Sequence, residues 1–216
     1  MSTKTTLTIT LVLILVAVVF SLSVYNQLPQ QMASHWDVND QVNGHMSRFW
    51  GAFLMPIITV LLVGLFLLIP AIDPLKANIA QFRSAFNLFI LLMVIFMVYI
   101  HILTIFWNLG FNSFHISTAL LPAMGLLFIF VGYLLTKAKR NFFIGIRTPW
   151  TLSSDTVWDK THGLGSKLFI GSGILAMIGG LFGGTIAFLF IFIPLIASSL
   201  SLVLYSYFLY VEETKL

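Results

Sequence analysis

The chain has 216 residues, 59% of them hydrophobic and 8% charged, with a mean hydropathy of +1.00. Soluble domains of this size carry roughly 25% charged and 45–50% apolar residues. A water-soluble globule, a disordered chain and a nucleic-acid-binding module are thereby excluded, and a polytopic helical membrane protein remains. Eleven basic against seven acidic residues give a net charge of +4, and cysteine is absent. There is accordingly no disulfide framework, no thiolate metal site and no thiol nucleophile.

Six apolar runs, each near the roughly 20 residues that a bilayer crossing needs, predict spans at about 7–25, 49–69, 85–109, 117–135, 166–182 and 185–210. The first carries Lys4, an apolar core and Ser21-Leu22-Ser23, a pattern that a signal peptide shares. It is long enough to cross and is read as an uncleaved helix. The fifth run is short and the sixth long. Gly183-Gly184 makes a tight turn between them, and Pro194 is expected to kink the sixth.

With six spans, one side holds Lys4, Lys76, Arg83, Lys137, Lys139, Arg140, Arg147, Lys160, Lys167 and Lys215, and the other holds Arg48 alone. Positive residues concentrate on the cytoplasmic side of membrane proteins. The expected topology is therefore all-α, six transmembrane helices, both termini cytoplasmic, in the cell membrane. Apart from Lys167, the second residue of the fifth, no Asp, Glu, Lys or Arg lies within a predicted span. This counts against an ion-coupled transporter, since such proteins keep ionisable groups at membrane depth. His101, within the third span, reads as a bundle-facing polar group with one hydrogen bond. Ser172, Ala176, Gly180 and Gly184 recur every four residues, the spacing that lets helix backbones approach closely in lipid. Packing within the bundle is the expected use, and a homodimer face is the sharper alternative.

Two segments are polar and aromatic enough to carry specificity. The first, the external loop 26–48, lies in an N-terminal two-helix module spanning residues 1–70. Leu28-Pro29 ends the first helix, Asn43-Gly44 reads as a turn, and Trp36 suits the membrane interface. His35, Trp36, Asp37, Asn39 and His45 form the candidate surface for a peptide or another membrane protein. A metal held by His35, Asp37 and His45 is a weaker reading, because their spacing fits no ligand pattern.

Helices three and four occupy 71–136. The second segment, the cytoplasmic loop 137–167, opens the C-terminal part, 137–216. Lys137, Lys139 and Arg140 sit where anionic headgroups attract them. Asn141 to Leu152 is apolar but interrupted, so it is expected to lie at the membrane surface or tuck under the bundle. Ser153 or Ser154 is a good N-cap for a short helix over about 155–162, with Asp155 in its first turn. That helix sets Asp155, Trp158, Asp159 and His162 on one face, with an Asp pairing to Arg147 or Lys160. Gly163 and Gly165 are expected to hinge it into the fifth span. The candidate partner-binding residues here are Asn141, Gly145, Arg147, Thr148, Pro149, Trp150, Asp155, Trp158, Asp159 and His162. No hydrolase, nucleotide or zinc signature occurs, so no enzyme activity, metal or cofactor is expected. A small-solute transporter or channel is the alternative function that six spans and a Gly-rich fifth helix leave open.

Gly145, Arg147, Thr148, Pro149, Trp150, Thr151, Leu152, Thr156, Val157 and Trp158 stand in the string GIRTPWTLSSDTVW. This string resembles the SdpI family, immunity proteins for a bacterial sporulation-delaying toxin. Leu28-Pro29, His35-Trp36, Gly44, Arg48 and Pro56 are similar to a module of unknown function often found ahead of it. There Ala33 stands where proline is frequent, and Asp40 where glycine is. The resemblance implies bacterial membrane protection against a secreted toxic peptide. It also implies a receptor role in which a winged-helix autorepressor is held at the membrane, with no direct nucleic-acid contact.

Overall fold

The computed structural model describes residues 1–215. Its long helices are α1 (Thr3–Val24), α2 (Arg48–Ile72), α4 (Arg83–Asn108), α5 (Ile116–Lys137), α7 (Asp155–Gly179) and α8 (Gly184–Thr214). Short helices α3 (Lys76–Gln81) and α6 (Pro149–Ser153) and a two-stranded hairpin, β1 (Gln31–Trp36) with β2 (Val42–Ser47), fill the connections. Five helices are long and apolar enough to cross a membrane: the α1 segment Thr3–Gln27, α2, α4, α5 and α8. The fifth predicted span falls in α7, which is not among them. Its first two turns carry Asp155, Asp159 and Lys160, and its apolar stretch is broken by glycines.

Contacts fix the direction of each long helix. Arg83 Nε donates to Thr3 Oγ1 (3.2 Å), so α1 and α4 start at the same end. At the far end of α4, Asn108 Oδ1 accepts from Ala33 N (2.8 Å), which places the hairpin there. α5 starts at that hairpin end. α7 runs back antiparallel to it, with Gly173 against Gly125 and Ser166 against Gly132. Gly183 and Gly184, at φ +69° and +57°, turn the chain into α8. That backbone region suits glycine. α8 continues unbroken through Pro194 and returns to the loop before α6, where Thr148 Oγ1 donates to Ser206 Oγ (3.0 Å). α7 thus spans the same two ends as its neighbours. The bundle resolves into two three-helix groups, α1/α2/α4 and α5/α7/α8, joined along α4 and α5.

Polar side chains inside the bundle find one another, as a medium without water demands. Ser21 Oγ and His101 Nε2 lie 2.7 Å apart, both buried. Ser172 and Ser198 hydroxyls meet at 3.3 Å. Ser172, Ala176, Gly179 and Gly180 are all buried within the bundle, so the small-residue seam serves its internal packing.

Two local expectations are corrected. Asn43 and Gly44 lie within β2, and the hairpin turns instead at Asp37–Gln41, where Asp37 O accepts from Asp40 N (3.0 Å). No hinge occurs at Gly163 or Gly165. α7 is continuous from Asp155, and Gly165 is buried against Ile146. Helix hydrogen bonding tolerates a glycine, at a cost of about 1 kcal/mol relative to alanine, and burial of the adjoining face outweighs that.

Candidate functional site

At the hairpin end, Asp37 Oδ1 accepts from the backbone of Asn39 (2.8 Å) and Gln41 (2.9 Å), which closes the turn. The next carboxylate, Asp40, has φ +60°, a left-handed conformation that Asp and Asn adopt more readily than other non-glycine residues. It reaches across to α5: Oδ1 accepts from Ser117 N (2.8 Å) and Oδ2 from Ser117 Oγ (2.6 Å), with His115 Nδ1 3.4 Å away. A carboxylate at a helix N-terminus satisfies orphan amides and favours the dipole. Asp40 therefore clips the hairpin onto the second helical group. Trp36 packs edge-on to Trp107, with ring centroids 5.5 Å apart, and Trp107 in turn to Phe114.

Between the hairpin, the start of α5 and the start of α8 lies a cavity of about 360 Å³. Trp36, Val38, Leu120, Met124, Phe188 and Phe192 give it mostly apolar walls, and His35 and Asp37 stand at it. Of the residues predicted here, Trp36 is half-buried, His35, Asn39 and His45 are exposed, and Asp37 is spent on the turn. His35 Nδ1 pairs with Asn43 Oδ1. No group of three His, Cys, Asp or Glu side chains converges on a metal position among the described residues.

At the opposite, basic end, residues 138–148 fold into a tight loop under the bundle. Asn141, fully buried, organises it: Oδ1 accepts from Phe143 N (2.9 Å) and Ile144 N (2.6 Å), while Nδ2 donates to Lys139 O and Ile144 O (both 2.8 Å). Buried Asp73, after α2, accepts from Leu75 N (2.6 Å) and Phe142 N (2.9 Å), and Asn78 Nδ2 donates to Arg140 O (2.8 Å). Trp158 Nε1 donates to Ala138 O (2.9 Å). Thr148 and Thr151 form a reciprocal capping box with Pro149 in the first turn of α6. Ser154 caps α7 through Val157 N (3.2 Å).

His162 closes the centre of this loop. Its ring stacks on Trp158 at 4.0 Å between centroids. A carbonyl only accepts, so the 2.8 Å contact with Trp158 O puts the proton on Nδ1, and Nε2 accepts from Ile146 N (3.0 Å). The ring is thus held neutral. Burial lowers its pKa from 6.5 to about 4, against smaller raising effects from the Trp158 carbonyl and Asp159. The folded state then binds this proton less readily than the unfolded chain. The stabilisation is complete above about pH 6.5 and drains away as pH falls toward 4, by roughly 3 kcal/mol in all. The melting temperature in detergent is expected to drop steeply between pH 7 and 4.5, and less so in His162→Gln. Parallel pH curves for the two proteins would contradict the neutral buried ring.

The predicted partner-binding set therefore divides. Asn141, Thr148, Trp158 and His162 are interior and hold the loop, and Gly145 packs against His162. Arg147, Pro149, Asp155 and Asp159 are exposed, and Trp150 is half-buried edge-on to Tyr207 at 5.1 Å. The single face expected for Asp155, Trp158, Asp159 and His162 is split, since the loop covers one edge and leaves the carboxylates outside. The acidic side chains pair with Arg140 (2.7 Å from Asp155) and Lys139 (3.9 Å from Asp159) rather than with Arg147 or Lys160. Arg147 Nη1 donates instead to Phe142 O (2.8 Å). Asp40 and Asp73 were not singled out as site residues from sequence. A lone acidic residue bounded by apolar runs is the signal that marks Asp73.

Residues 137–206 match the SdpI/YfhL protein family, and residues 12–60 match a domain of unknown function (DUF1648). The chain is 24% identical over 190 residues to the immunity protein SdpI of Bacillus subtilis (strain 168), covering 88% of each chain. No solved structure matches. The first family match opens at the last residue of α5 and closes at Ser206, the α8 residue that holds Thr148, so it contains the whole buried loop together with α7. By these matches the chain is a multi-pass membrane protein similar to SdpI, with residues 137–206 resembling the SdpI/YfhL family and residues 12–60 a domain of unknown function.

Proposed function

We propose that the chain protects a bacterial membrane against a secreted toxic peptide and reports the peptide's presence across the bilayer. The observation that carries this reading is the similarity to an immunity protein over 88% of both chains. In this reading α7 is a sixth crossing and both termini are cytoplasmic. Two features support it. α7 runs between the same ends as α5 and α8, and the basic residues gather at the end opposite the hairpin.

The cavity behind Trp36 is the receiving surface for an apolar part of the peptide. The exposed Arg147, Pro149 and Trp150, with Asp155 and Asp159 beside them, are the surface offered to a winged-helix repressor. Communication requires that peptide and repressor each prefer the same one of two conformations. The fold supplies a connection: the hairpin is clipped to α5 by Asp40, and the loop that holds Arg147 begins directly after α5.

Expression in a toxin-sensitive host followed by peptide challenge tests this. Arg147→Ala and Trp150→Ala are expected to insert normally and to lower protection or operon response on the order of tenfold, a typical coupling. Protection equal to the parent in both variants would remove the role assigned to that surface.

A further inference from the structure

Two cavities lie in line along the seam where α4 meets α5. The one nearer the basic end, about 240 Å³, is lined by Gln81, Ser84, Leu88, Tyr133 and Lys137. The second, about 270 Å³, is lined by Leu92, Ile95, Phe96, Tyr99, Leu126 and Leu127 and is almost wholly apolar. On α4, Ser84, Leu88, Leu92, Ile95 and Tyr99 form one stripe at helical spacing. Leu88, at the first cavity, and Leu92, at the second, are one helical turn apart. Leu126 is 58% exposed and Ile95 44%, so the apolar part opens onto the outer face of the bundle, where lipid lies. From Leu88 to Tyr99 is about 16 Å along the helix, close to the roughly 15 Å of hydrocarbon in one leaflet.

The polar end sits where a headgroup would. Lys137 is the last residue of α5, and Ser84 lies one residue inside the start of α4. Lys137 Nζ stands over the Tyr133 ring at 5.6 Å and has no carboxylate within ion-pair distance among the described residues. Ser84 Oγ accepts from the Met1 nitrogen (2.6 Å) and keeps its own proton to donate. At the far end Tyr99 Oη is already satisfied by Ala119 O (3.0 Å), so no polar group interrupts the apolar run.

We infer that the α4–α5 seam binds one anionic phospholipid, with its phosphate at Lys137 and Ser84 and one acyl chain along Leu88, Leu92, Ile95 and Leu126. The lipid then fills the joint between the two helical groups from the basic end to mid-bilayer. The inference stands apart from peptide immunity and needs only the bundle in its membrane.

Native mass spectrometry of the full chain, released from detergent holding equal phosphatidylglycerol and phosphatidylcholine, tests it. One retained phosphatidylglycerol is expected, in preference to phosphatidylcholine. Lys137→Gln, a change at an exposed side chain, is expected to cut that preference about fivefold, the worth of one basic residue near an anionic headgroup. Leu92→Trp, checked for an unchanged melting temperature, is expected to expel both lipids by filling the apolar part. Excess glycerol phosphate, the headgroup without chains, should leave the adduct in place. Equal retention of the two lipids by the parent, an undiminished preference in Lys137→Gln, or displacement by glycerol phosphate would each overturn the site.

Discussion

Gly173→Leu is expected to separate α5 from α7 and to destabilise the bundle by about 3 kcal/mol or more, at or above the usual range for overpacking. A Cβ at Gly173 would lie 2.5 Å from Gly125 O and 2.9 Å from Ile129 N, and a Cβ at Gly125 would lie 2.5 Å from Gly173 O. The obstacles are backbone atoms, so no rotamer change relieves them and the helices themselves have to move. Two turns along, a Cβ at Gly132 would lie 2.7 Å from Ser166 O, so the backbones are close over more than one turn. In lipid there is little hydrophobic drive to hold helices together, and close packing of this kind is the main substitute. The check is the melting temperature in detergent and the yield of folded protein. Gly171→Ala is the matched control, because nothing lies within 4 Å of a Cβ there. It is expected to melt at or slightly above the parent, as alanine favours helix by up to about 1 kcal/mol. A Gly173→Leu protein melting with the parent would mean that the two backbones do not touch.

The spans were legible because apolar runs near 20 residues have one physical use. Five of them coincide with helices to within a few residues, as at Arg83–Asn108 for the run 85–109. The α7 region was harder for an identifiable reason. Gly163 and Gly165 read as a hinge, whereas the fold uses Gly165, like Gly173, as a flat place, against Ile146 and Gly125 respectively. Spacing within one helix does not say which neighbour will press on it. The hairpin was read as a loop because its strands are short and mixed in polarity. Its turn was assigned to Asn43-Gly44 on dipeptide preference, while the Asp37 carboxylate, bonded to two backbone amides, closes the chain earlier.

At the basic end the identity of the important residues was legible and their division of labour was not. Trp158 and Asp159 are adjacent in sequence, yet one is buried and hydrogen-bonded to Ala138 O while the other is exposed. Only the path of residues 138–148 decides that, and the path is set by Asn141 and by Asp73, 68 positions earlier in the chain. A contact at that separation leaves no local pattern to read.

The same loop supports the second large expectation, that Gly145→Ala dismantles it. Gly145 has φ +119°, a region where an L side chain is strained by about 1–3 kcal/mol. Its Cβ would also run into His162 Nε2, with Trp158 Cη2 at 3.3 Å. His162 cannot yield by rotating. Nδ1 is tied to Trp158 O, and loss of the Nε2 contact strands the Ile146 amide, whose burial unpaired costs a further 1–3 kcal/mol, roughly. Both penalties fall within this loop, at residues 145 and 146, so the loop rather than the bundle is expected to open. A protease that cleaves after arginine should then cut at Arg140 or Arg147 in solubilised Gly145→Ala while the long helices persist by circular dichroism. Gly163→Ala, in the same helix as His162 but with open space around its Cβ, is expected to resist like the parent. If Gly145→Ala proved equally resistant, the positive φ and the Ile146–His162 bond could not both be features of the folded loop, and a different partner for the imidazole would have to hold Arg147 at the surface.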